Sequence, residues 1–140
     1  MNEFKLRRLG MLMEPEPGNP LEVEGVLNPA AVRGPDGELY LFPRMVAKGN
    51  YSRIGIARVR FNETGDPASV ERLGIALEPE PGNPLEVEGV LNPAAVRGPD
   101  GELYLFPRMI AKGNYSRIGI ATGNRLASLS STLPNSMPCQ

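Results

Sequence analysis

Two pairs of carboxylates stand out in this chain, Glu22 with Glu24 and Glu86 with Glu88, each pair separated by a single valine. On an extended backbone that spacing turns both carboxyl groups to one face, an arrangement general acid–base catalysis can use. The plainer reading is a solvated loop face. Arg44 and Arg108 each lie inside an apolar run, Leu-Phe-Pro-Arg-Met, where an unpaired charge is costly. Each therefore needs either a carboxylate of its own unit, Glu24 or Glu88, or a ligand. Asp36 and Asp100 sit in Pro-Asp-Gly turns and read as turn residues. Lys48 and Lys112 read as solvated turn cations. Gly18-Asn19-Pro20 is a turn, because no strand–glycine loop–helix context makes it a phosphate cradle.

Other chemistry is excluded by composition. The 140 residues contain no histidine and one cysteine, Cys139. The commonest general base near neutral pH and the Cys/His zinc sites are both missing, so no metal or cofactor is expected. With 15 basic and 16 acidic residues the net charge is -1, and no basic field draws in nucleic acid. The opening Met1-Asn2-Glu3-Phe4-Lys5 is not an apolar leader, and no run is long enough to span a bilayer. The expectation is a cytoplasmic protein with no membrane partner.

These residues occur twice because the sequence does. Residues 8–57 and 72–121, 64 positions apart, differ at only four of 50 sites: Met11/Ile75, Leu12/Ala76, Met13/Leu77 and Val46/Ile110. All four exchange one apolar residue for another, as expected of a tandem duplication with little divergence. Abundant proline and glycine, 15 and 16 residues, punctuate the chain too often for long helices. Asn28 to Arg33 reads as a first strand and Asp36-Gly37 as a hairpin turn. Glu38 to Phe42 follows as a second strand, Ser52 to Phe61 as a third and Val70 to Leu77 as a fourth, with Leu73, Ile75 and Leu77 inward. Pro43 falls on the second strand, where it cannot donate to a ladder, and predicts a bulge or an early strand end.

Four short strands per repeat, apolar on both faces, suit an all-β propeller blade packed between two neighbours. A β-sandwich or β-solenoid could use the same strands. The phase divides the chain into 1–13, a fourth strand of a preceding blade; 14–77, a first blade; 78–121, a second blade lacking its fourth strand; and 122–140, a tail outside the repeat. A spare strand at one end and a vacant edge at the other invite association. The expected partner is the protein itself, in a head-to-tail ring, a trimer in preference to a dimer.

Gly25-Val26-Leu27-Asn28-Pro29-Ala30-Ala31, then Leu41-Phe42-Pro43-Arg44, then Tyr51-Ser52-Arg53-Ile54-Gly55-Ile56-Ala57 resembles the first blade of glycoside hydrolase and phosphorylase family 130, the β-mannoside phosphorylases and mannosidases. The resemblance implies a fragment of a five-bladed, bacterial cytoplasmic enzyme fold that inverts mannosides with phosphate or water. It places Asn28, Arg44, Ser52 and Arg53, with Asn92, Arg108, Ser116 and Arg117, near an axial sugar pocket, where phosphate is a possible co-substrate. Asn and Arg suit sugar hydroxyls and anions. The family's catalytic Asp, in a Glu-Asp-Pro-Arg-like motif, has no match here. The resulting expectation is a non-catalytic homo-oligomer with weak sugar or anion binding. Two alternatives stand beside it: an active hydrolase or phosphorylase with Glu24 or Glu88 as general acid, and a structural duplicated-blade protein with no ligand.

Overall fold

The computed structural model describes residues 3–123 and is all-β. Strands β1 (Gly25–Arg33), β2 (Leu39–Ala47), β3 (Tyr51–Phe61) and β4 (Pro67–Leu77) form an antiparallel meander in chain order. Strands β5 (Gly89–Arg97) and β6 (Leu103–Ala111) repeat the first pair. The third strand of the second repeat is split into β7 (Tyr115–Ile118) and β8 (Ala121–Gly123), both paired with β6. Among the described residues nothing follows as a fourth strand, and residues 3–13 join no sheet. The 124–140 portion of the tail, with Cys139, lies outside the described residues.

The turns follow from their residues. Gly37 takes φ +82° in the β1–β2 hairpin, a conformation only glycine adopts freely. Asp36 braces that turn, its Oδ1 accepting the Glu38 N–H at 3.0 Å and its Oδ2 accepting the Tyr40 hydroxyl at 2.5 Å. Tyr40 is buried, and burial followed by this bond to Asp36 raises its pKa above the ordinary tyrosine value. Tyr40, Phe42, Ile54, Ile56, Leu73 and Leu77 of the first repeat pack with Val90, Leu103 and Leu105 of the second in one core. The repeats meet where Ser52 of β3 pairs with Gly89 of β5 in parallel.

Pro43 does not end its strand. Strand β2 runs through it, and the irregularity falls on the partner: Arg44 faces Leu27 and Phe42 faces Ala30, so Asn28 and Pro29 together oppose Pro43 in a bulge. The same bulge recurs at Asn92 and Pro93. The expected inward alternation of Leu73, Ile75 and Leu77 is also modified. Register shifts between β3 and β4 flank Gly74, so Ala76 is buried beside Leu77 while Ile75 is only half-buried. Bulges reset the two-residue period that strand patterning relies on.

Candidate functional site

The bulges aim two side chains at each other. Asn28 and Asn92 take φ +45° and +48°, left-handed backbone that asparagine tolerates better than most residues. The Nδ2 of Asn28 donates to the Oδ1 of Asn92 at 2.7 Å, joining β1 and β5 across the repeat boundary. Backbone strain of this kind concentrates at functional positions.

Arg44 stands opposite Leu27, the residue before Asn28. Its Nε donates to the Ser52 hydroxyl at 2.9 Å and its Nη2 to the Asn50 Oδ1 at 3.1 Å. Arg108 repeats this with Ser116 at 2.8 Å and Asn114 at 3.3 Å. The expected salt bridge from Arg44 to Glu24, or Arg108 to Glu88, does not form; among the described residues neither arginine has an ion pair. Burial, and then the neighbouring Arg108 charge, lower the Arg44 pKa from its ordinary value. Both guanidinium groups thus have neutral oxygens as partners.

The carboxylates that would have paired them are engaged elsewhere. Glu24 accepts the backbone N–H groups of Gly49 and Asn50 at 3.0 and 2.9 Å. Glu88 holds Gly113 and Asn114 in the same way at 3.1 and 3.0 Å. Each therefore shapes the turn that presents an asparagine to an arginine, with both oxygens serving as acceptors. Glu24→Gln is expected to lower stability by about 1 kcal/mol, because an amide can accept only one of the two bonds; urea unfolding measures it. An unchanged midpoint would remove the turn-holding role.

Glu22 and Glu86 have a different fate from Glu24 and Glu88, so the paired carboxylates do not act as pairs. Glu22 is fully buried, bonded by Asn19 Nδ2 at 2.7 Å and clasped by Arg72 of β4 at 2.9 and 3.0 Å. The Ser-Arg pairs divide likewise. Ser52 serves Arg44, whereas Arg53 lies 3.4 Å from Glu78 and stacks on Tyr51 at 4.9 Å. Arg117 stacks on Tyr115 at 4.7 Å. Successive strand residues point to opposite faces, and neither Arg53 nor Arg117 reaches the arginine pair by any bond of the described residues.

A cleft of about 330 Å³ opens between the repeats, lined by Arg44, Gly49, Asn50 and Tyr51 on one side and Val87, Glu88, Ile110 and Asn114 on the other. Asn50 and Asn114, at φ +61° and +62°, belong to this site although their Lys-Gly-Asn segments read only as turns. The cleft offers guanidinium donors, amide groups and a carboxylate, a set that matches vicinal hydroxyls. Among the described residues no group of three or more His, Cys, Asp or Glu is placed to hold a metal ion, and no helix is long and apolar enough to cross a membrane.

Comparison with known proteins bears on the fold. No family model matches the sequence, and no curated protein matches it. Solved structures do. A structure from work on mannoside phosphorylases and β-1,2-mannoside hydrolases of family GH130 is 20% identical with a TM-score of 0.61, covering 89% of this chain and 42% of that one. A glycosyl hydrolase from Bacteroides ovatus is 21% identical with a TM-score of 0.61, covering 87% and 41%. The GH43_1 enzyme from Xanthomonas citri, solved with xylotriose, is 23% identical with a TM-score of 0.56, covering 72% and 29%. The chain thus spans about two-fifths or less of the structures it matches. The likeness establishes the fold as that of the propeller glycosidases.

Proposed function

We propose that this chain is a duplicated pair of family-130-like blades that binds carbohydrate without cleaving it, within a propeller completed by further copies. What supports the binding reading is Arg44, without a carboxylate partner among the described residues, on the wall of a cleft that also carries the amides of Asn50 and Asn114. Glu88 on the cleft wall repels a free anion, so hydroxyl-bearing ligands fit better than phosphate. Mannosides are the preferred class, with phosphate the weaker ligand. Glu24 and Glu88, each holding a turn through both oxygens, are poorly placed to give a proton, and the family's acidic catalytic motif has no match. The two blades leave a flank open at each end, and three chains forming six blades are favoured over two forming four.

Titration with methyl β-mannoside and, separately, inorganic phosphate tests the reading by amide chemical shifts. Millimolar mannoside binding is expected, with shifts at Asn50 and Asn114, and Arg44→Ala should weaken it about tenfold, the loss of one charged hydrogen-bonding group. No shift with either ligand overturns the binding proposal. Turnover of aryl-mannosides or aryl-glucosides, with or without phosphate, that disappears in Glu24→Gln plus Glu88→Gln would overturn the non-catalytic part.

A further inference from the structure

The two repeats are nearly identical in sequence yet bury their residues differently, and the differences have a pattern. In the first repeat Glu22 is buried against Arg72. In the second Glu86 is also buried, 4% exposed, but its partners are the Glu80 N–H at 2.9 Å and Asn83 Nδ2 at 3.3 Å, with no guanidinium among the described residues. The position 64 residues after Arg72 is Ser136; the position 64 before it is Arg8. Arg8 begins the same Arg-Leu-Gly triplet, and Gly10 has φ +115° where Gly74 has +119°. Residues 8–10 therefore carry the Arg-Leu-Gly triplet and glycine backbone turn of β4 but join no sheet among the described residues.

The apolar residues agree. Leu73 is 4% exposed and its counterpart Leu9 50%; Ile54, beside β4, is 0% exposed and its counterpart Ile118 72%. Each buried member lies where β3 and β4 pair, and each exposed member lies where, among the described residues, no such pairing is made.

We infer that the N-terminal segment of a second copy of this chain lies along β7 and β8 as their fourth strand, and that its Arg8 forms with Glu86 the ion pair that Arg72 forms with Glu22. The occupant is a second copy because the chain's own β4, which shares Arg-Leu-Gly with residues 8–10, already fills the equivalent seat beside β3. The contact is head-to-tail, so it closes only as a ring. This inference rests on the proposed assembly from further copies and supplies the residues that build it.

The test uses the full chain. Light scattering should give a multiple of the monomer mass, and Arg8→Ala should weaken association roughly a hundredfold by stranding the buried Glu86 carboxylate. Arg7→Ala, at an exposed residue 3.5 Å from Asp66, should leave association unchanged. In a Cys139→Ser background, Met13→Cys with Ile118→Cys repeats the facing of Leu77 with Ile54 and should yield covalent multimers on oxidation. A monomer at all concentrations overturns both this inference and the assembly. An oligomer that Arg8→Ala leaves intact, with no cross-link, overturns the strand exchange and the Arg8–Glu86 pair alone.

Discussion

Arg72→Ala is expected to lower the unfolding free energy by about 3 kcal/mol, at the low end of what breaking a buried ion pair costs because the guanidinium is partly solvated. Glu22 has no exposure at all, and two of its bonds come from Arg72, Nη2 to Oε1 at 2.9 Å and Nε to Oε2 at 3.0 Å. The bond to Glu22 is also the largest influence on Arg72, raising its pKa above the ordinary arginine value. Without the guanidinium the carboxylate keeps, among the described residues, the Asn19 donor alone, and Glu14 loses the donor that reaches its carbonyl at 2.6 Å. The segment between residues 14 and 22 is then no longer clamped to β4. Glu22→Gln combined with Arg72→Met should cost less than Arg72→Ala alone, since no charge is left stranded. Urea midpoints at constant slope measure both. A loss below 1 kcal/mol for Arg72→Ala would mean that Glu22 finds water once its partner is gone.

How much of this was legible beforehand depends on the residue. The strands, the hairpins and the repeat follow from turn residues and apolar runs, and Pro43 correctly marked a break in regularity. What Pro43 could not reveal is that the bulge falls on the neighbouring strand, because that depends on register. Glu22 and Glu24 looked equivalent by alternation. One is buried and the other holds a turn, since the partner of Glu22 lies 50 residues away on β4 and that of Glu24 across the β2–β3 turn. Asn50 was visible only as a turn former; its second use, accepting from Arg44, is a tertiary contact with no local signature. The contrast between Glu22 and Glu86 has the same origin. Identical sequence cannot encode different surroundings, so their difference reports position in the chain.

Replacing both Asn28 and Asn92 by glycine is expected to abolish mannoside binding while leaving stability within about 1 kcal/mol of the parent. Both sites have left-handed backbone, and the following prolines disfavour right-handed helical geometry there. Glycine reaches positive φ without the steric penalty that a side chain brings, and this gain offsets the lost 2.7 Å bond between the two amides, itself about 1 kcal/mol. Alanine at the same positions loses the bond and keeps the strain, so Asn28→Ala with Asn92→Ala should be destabilised by about 2–3 kcal/mol. Comparing the two double variants separates folding from recognition. If the glycine variant binds mannoside as the parent does while Arg44→Ala does not, the asparagines only tie the blades together and the arginines alone meet the ligand. If it folds normally and binding is lost, the amides at the bulges contact sugar, and the strained backbone is retained to point them at it.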